Sequence, residues 1–345
     1  ALFCFLNLLK LRSNMHTKST FITLFITGIL TILFIAVIVL AGIHFILKPE
    51  NITSSVNSIS ENMSAEIEET TEETTYPTVE YPEIDVESIE FGDKIVSKYG
   101  VLVDDSENKI IAQREADKII YPASMTKIMT LIVAAENMNS IDDRFTMTYE
   151  ILHPLMEADA SITGFEEGET VTVEDMLYGT VLPSGADAAI GLAERISGSE
   201  ENFVKLMNEK AEALGLKHTH FTNTSGLHDE NHYSTATEMA VILEYALQND
   251  LCRKVLSTYQ YTTSRTKEHP QGILLESTMF SRMYGDEVEE EKIKRKKTGF
   301  TDEAENCLAS FAVKDGHEYI AVTAGSYDYW LTVYDAFELY GNYLD

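Results

Sequence analysis

The sequence predicts an α/β fold: an antiparallel sheet flanked by helices with an all-helical lobe, preceded by a single transmembrane helix. Three observations carry this. Hairpin patterns lie near both ends of the region from Tyr99 to Ala324, while the stretch between them has mostly helical periodicity. Strands from both ends of a domain, with helices between, imply one sheet that the chain leaves and re-enters. The third is an apolar run from Thr20 to Leu47 without Asp, Glu, Lys or Arg.

Taken in order, residues 1–19 read as a cytoplasmic leader containing Lys10, Arg12 and Lys18. Residues 20–47 exceed the roughly 20 apolar residues that cross a bilayer, and basic residues before the run place the N-terminus inside, so the run reads as a signal anchor. A cleaved signal is the alternative, because Val39-Leu40-Ala41 resembles a small-residue cleavage site. Residues 48–90 are rich in Ser, Thr, Asn and Glu, with Glu68-Glu-Thr-Thr-Glu-Glu73 and no Arg, and read as an acidic disordered linker. Residues 91–345 form the remaining domain.

That domain opens with Tyr99–Asp104 and Lys109–Gln113 as a hairpin, and closes with Cys307–Val313 and His317–Ala324 around Asp315-Gly316, a favoured two-residue turn. Between them, helices are expected over Ser124–Ala135, Val173–Leu182, Ala188–Ile196, Asn202–Leu214 and Thr237–Leu247, with a last helix from Tyr329. Thr172 with Asp175 three residues on reads as a capping box. The net charge of −30 leaves no basic excess for phosphates and excludes a nucleic-acid partner. Of three cysteines, Cys252 and Cys307 lie beyond the anchor, and their spacing does not say whether they pair.

Tyr121-Pro-Ala-Ser124-Met-Thr-Lys127 places a hydroxyl and an amine three residues apart at the start of an apolar helix, hence on one face. A serine becomes nucleophilic when a neighbouring base takes its proton, and a lysine desolvated by apolar surroundings can be that base. Spacing alone is weak: Ser106–Lys109 and Ser264–Lys267 repeat it in a turn and a polar segment, and a serine at a helix start is also an ordinary N-cap. Leu182-Pro-Ser184-Gly-Ala-Asp187 breaks two helices and can aim a hydroxyl into a cleft, or simply be a loop whose Asp187 caps the next helix. Lys297-Thr298-Gly299-Phe300 enters an edge strand, where charge, a hydroxyl and a bare backbone suit a carboxylate ligand.

In this order the three elements resemble the penicillin-binding protein and serine β-lactamase superfamily. Pro122–Thr130, Gly168–Tyr178, Phe203–Asn208, Leu214–Leu216, Thr219–Asn223, Gly226-Leu227, Tyr233–Ala236 and Lys297–Thr301 are further similar to its low-molecular-mass serine D-alanyl-D-alanine carboxypeptidases. The resemblance implies a β-lactamase/transpeptidase-like fold acting on peptidoglycan stem peptides, with β-lactams as inhibitors and no cofactor or metal. Ser124 would attack the carbonyl between the terminal D-alanines, Lys127 would act as general base, and Ser184 would relay a proton to the leaving amine. Lys297 and Thr298 would hold the terminal carboxylate, Gly299 would let the substrate approach, and the N–H groups of Ser124 and Phe300 would face the oxyanion. The enzyme would be a single-pass membrane protein with its catalytic domain extracytoplasmic.

One departure concerns Ala186, where that family usually has Asn, so a side-chain amide that would orient lysine and substrate is missing. The alternatives are a serine β-lactamase and a catalytically impaired wall-binding relative. A zinc enzyme is a third, because His218, His220, His228 and His232 cluster, although no HExxH-type helix accompanies them.

Overall fold

The computed structural model describes residues 79–279, 295–301 and 304–344. The apolar run over residues 20–47 and most of the linker lie outside these residues; among those described, no helix is long and apolar enough to cross a membrane.

The first hairpin forms as expected, with β2 (Tyr99–Asp104) antiparallel to β3 (Lys109–Arg114). So does the second, β9 (Glu305–Lys314) with β10 (His317–Ser326). Asp315 and Gly316 both have positive φ, 53° and 88°, the geometry a primed two-residue turn requires and the reason Asp-Gly suits it. β10 pairs with β2, and β8 (Arg295–Thr301) adds an edge strand antiparallel to β9. One strand of this sheet was not expected. β1 (Glu83–Glu90) falls in the stretch read as linker and pairs parallel with β3, giving the six-stranded order β1-β3-β2-β10-β9-β8. The sheet is therefore antiparallel except at that edge.

Strand alternation divides the core into two layers. Val101, Val103, Ala309, Phe311, Ile320 and Val322 face the helical lobe. Leu102, Leu308, Ala312 and Ala321 face Val333, Ala336 and Leu339 on the last helix, Tyr329–Asn342.

The lobe is built around α1 (Lys127–Asn137), whose residues from Lys127 to Ala134 are all buried, as a central helix must be. Around it lie α2 (Tyr149–Glu157), α3 (Val173–Val181), α4 (Ala186–Ser197), α5 (Glu200–Ala213), α6 (Ala236–Gln248) and α7 (Asp250–Leu256); the helix from Tyr329 is α8. The capping box of Thr172 and Asp175 is present at the start of α3. Helices α2 and α7 were not anticipated, nor were the short pairs β4 (Arg144–Thr146) with β5 (Thr170–Thr172) and β6 (Gln260–Thr262) with β7 (Leu274–Glu276). Cys252 and Cys307 are free and buried, so they do not pair with each other.

Candidate active site

Ser124 does not begin an α-helix. It lies in a 3-10 turn, Ala123–Thr126, and Lys127 is the first residue of α1. Ala123 has φ of +46°, a left-handed backbone that a non-glycine residue holds only when its surroundings fix it. Those surroundings are the segment Phe221–Leu227. Gly226, at φ +80°, passes so close that a Cβ there would lie 1.8 Å from the Ala123 carbonyl oxygen, so no side chain fits. Thr130 Oγ1 donates to the Thr224 carbonyl at 2.7 Å.

Lys127 is 2% exposed, and its Nζ donates to Ser124 Oγ at 3.0 Å and to the Ser225 carbonyl at 2.5 Å. Burial disfavours the ammonium and brings Lys127 from 10.5 down to about 7, with the Asp187 carboxylate pulling the other way. Near neutrality much of this lysine is a free amine whose lone pair can take the proton of the hydroxyl beside it. The look-alike spacings have no such setting: Lys109 is exposed beside Glu107, and the Lys267 side chain is 94% exposed.

Ser184 lies in the break between α3 and α4 with φ of +65°; its Oγ is buried and has no hydrogen-bond partner among the described residues. The turn is held from behind. Gly185 N–H donates to the Gly179 carbonyl, Ala186 N–H to the Ser161 carbonyl, and Thr163 donates through both N–H and Oγ1 to Asp187 Oδ1. Asp187 is thus not the cap of α4, whose N-cap is Gly185; it is a buried carboxylate raised above its ordinary range by desolvation. Its second oxygen has no partner among the described residues. Ala186 packs in a small apolar cluster with Ile151 and Leu155.

Strand β8 lies against the 3-10 turn. Its register sets Lys297 opposite Ala309, Thr298 opposite Leu308, Gly299 opposite Cys307 and Phe300 opposite Asn306. Cys307 Sγ in turn lies 3.8 Å from the Tyr121 carbonyl, just ahead of the turn. Helix α4 packs on α1, so the segments bearing Ser184 and the Lys-Thr-Gly run both border the helix and turn that carry Ser124 and Lys127.

The four histidines have separate partners. His218 pairs with Glu238, His220 Nδ1 donates to the Asn231 carbonyl, His228 stacks edge-on against Tyr121, and His232 binds Thr126 and Thr222. Among the described residues no group of three or more His, Cys, Asp or Glu side chains converges as metal ligands would.

Sequence reasoning passed over Asn223, whose Oδ1 accepts from the N–H groups of Ser225 and Gly226 and whose Nδ2 donates to the Leu227 carbonyl. These bonds shape the loop that offers the Ser225 carbonyl to Lys127. An Asn followed by Thr-Ser-Gly is a turn signal that could have pointed there.

Residues 86–327 match the peptidase S11 family, described as D-alanyl-D-alanine carboxypeptidase. The chain is 35% identical over 231 residues to D-alanyl-D-alanine carboxypeptidase DacF of Bacillus subtilis, covering 67% of this chain and 57% of that protein. It is 31% identical over 252 residues to DacA of Haemophilus influenzae, covering 61% of that protein. The chain thus spans less than two thirds of the length of these curated relatives. Among solved structures, the Streptomyces K15 DD-transpeptidase superposes with a TM-score of 0.64 at 28% identity, covering 72% of this chain and 97% of that one. Penicillin binding protein 5 of Haemophilus influenzae gives the same TM-score and identity, covering 71% of its own chain. The fold is that of the penicillin-binding transpeptidases, and the chain belongs to the peptidase S11, D-alanyl-D-alanine carboxypeptidase, family.

Proposed function

We propose that the protein hydrolyses the terminal D-Ala-D-Ala bond of peptidoglycan stem peptides through a serine acyl-enzyme, releasing D-alanine. The observation that carries this is the contact at 3.0 Å between Ser124 Oγ and a buried lysine brought down to about 7. Neutral Lys127 takes the Ser124 proton as Oγ attacks the carbonyl carbon. The oxyanion is met by the backbone N–H groups of Ser124 and Phe300. As the C–N bond breaks, Ser184 passes a proton to the departing amine; Lys297 and Thr298 hold the terminal carboxylate while Gly299 leaves room for the substrate. Water then hydrolyses the ester. A β-lactam imitates the dipeptide and acylates the same serine.

The related proteins named above support the substrate class, and the uncharged run Thr20–Leu47 behind basic residues supports an extracytoplasmic domain held by a single N-terminal span. Ala186 favours a second reading, a relative with impaired turnover, because the side chain at this position sits among apolar groups and offers no hydrogen bond. The test uses the full chain in detergent, with a fluorescent penicillin and, separately, a diacetyl-L-Lys-D-Ala-D-Ala peptide. Labelling that is lost in Ser124→Ala, together with D-alanine release, is the expected result. Labelling without release selects the impaired reading, and a folded protein giving neither signal defeats the proposal.

A further inference from the structure

Beside the turn that carries Ser124 lies a buried titratable side chain that the reaction just described does not use. His232 is 2% exposed and sits between the segment Phe221–Leu227 and the turn that carries Ser124. Its ring is used at both nitrogens. The Thr222 N–H donates to Nδ1 at 3.1 Å, and since a backbone N–H can only donate, Nδ1 is bare. The ring proton of the neutral imidazole must then be on Nε2, which donates it to Thr126 Oγ1 at 2.7 Å. Phe221 packs edge-on against the ring, with centroids 5.5 Å apart. Burial brings His232 down to about 4; Asp229 opposes this, and His220, Lys127 and His228 add to it, so the ring is neutral under physiological conditions.

Thr126 lies between the nucleophile and its base. Its turn contains a left-handed Ala123 and no side-chain cap among the described residues, so the geometry must be imposed from the side. Three ties do this: Thr126 to His232, Lys127 to the Ser225 carbonyl and Thr130 to the Thr224 carbonyl. Of these, His232 alone is a rigid ring bonded to both parties. We infer that His232 is a positioning residue for the reaction: its Nε2-protonated tautomer fastens Thr126, and with it the Ser124–Lys127 pair, to the loop that presents the Ser225 carbonyl. This rests on the reading of Ser124 as nucleophile. A histidine that merely fills the core would contribute to stability alone.

The test measures acylation by a fluorescent penicillin in stopped flow on the full chain in detergent, separating initial binding from the acylation step. His232→Leu should slow acylation about 10²-fold, the order expected for a misplaced catalytic pair, with initial binding unchanged. His232→Gln can accept from Thr222 and donate to Thr126, and should recover most of the rate. Thr126→Val removes the same bond while the ring stays buried, and carries the test if His232→Leu does not fold. The two losses should not multiply in the double variant, because both remove one interaction. Multiplying losses, or wild-type acylation by either folded single variant, overturns the inference. Ring 15N shifts read the tautomer independently of catalysis: a proton on Nε2 between about pH 6 and about pH 8 is expected, and one on Nδ1 overturns it. If wild-type protein takes no penicillin at Ser124, the active-site reading falls and this inference with it; a labelled wild type with unaltered variants removes the inference alone.

Discussion

Replacing Lys127 by Met should make the protein more stable and inactive, and the stability gain should depend on pH in a direction that burial fixes. Lys127 is 2% exposed and lies at about 7 rather than 10.5. Below about pH 7 the folded and unfolded states both carry the ammonium, and the folded state bears the full desolvation penalty, about 5 kcal/mol. Between about 7 and 10.5 the folded lysine has lost its proton while the unfolded one keeps it, so stability rises with pH; above that window both are neutral and the penalty is gone. The penalty is then about 5 kcal/mol at pH 6 and about 2 kcal/mol at pH 9. Methionine has similar volume and no charge, but it leaves the Ser225 carbonyl and Ser124 hydroxyl without their donor, at about 1–3 kcal/mol whatever the pH. The variant should therefore gain about 2–4 kcal/mol at pH 6 and roughly nothing at pH 9. Urea unfolding followed by fluorescence of Trp330, the one tryptophan, measures both. In parallel, wild-type acylation should rise about tenfold from pH 6 to pH 8, as the neutral fraction grows from about a tenth to about nine tenths. A stability change equal at both pH values, or acylation flat across that range, would refute the tuned-lysine argument.

Three further outcomes follow from the geometry around Ser184. Ser184→Gly relieves a left-handed backbone and should stabilise the protein by about 1 kcal/mol, while slowing turnover about 10²-fold by removing the hydroxyl proposed as the proton relay; denaturation and D-alanine release check the two halves. Gly185→Ala would put a Cβ 2.1 Å from Thr163 Oγ1 and 2.9 Å from the Gly179 carbonyl oxygen, and should cost about 1–3 kcal/mol in the same denaturation assay. Asp187→Asn removes the carboxylate that opposes the fall of Lys127, so the acid limb of the acylation profile should move to lower pH; a limb that stays put or moves up contradicts that coupling.

The two main hairpins were legible because alternation, β-branched residues and turn chemistry agree locally, as at Asp315-Gly316. What escaped notice lacked a local signal. Helix α2 has nine residues with Pro154 inside, and α7 has seven, too few for a period to stand out. Strand β1 is an acidic segment whose partner, β3, pairs with it in parallel, and composition gives no hint of that pairing. The alternative that made Asp187 a cap failed for a related reason: an acidic residue in the first turn of α4 reads locally as a cap, whereas its carboxylate is claimed by Thr163, twenty-four residues earlier.

The site divides along the same line. Ser124 and Lys127 are neighbours by spacing, so a sequence can juxtapose them; what brings the lysine down is burial, and what holds its amine is the carbonyl of Ser225, 98 residues further on. The spacing alone therefore could not separate this pair from Ser264–Lys267, whose lysine is bathed in water. The same reasoning bears on Ala186. Losing an amide there matters only if nothing else fixes the lysine, and the structure supplies other means: the Ser225 carbonyl accepts from it, and the buried Asp187 carboxylate acts on its charge. A carboxylate in that place favours the protonated lysine, whereas an amide carries no net charge to do so. Substitution of the amide thus affects the free amine through hydrogen bonding, and Asp187 affects it through charge, so the two effects separate by pH: lost orientation lowers acylation at every pH, while a changed field moves the midpoint of its rise.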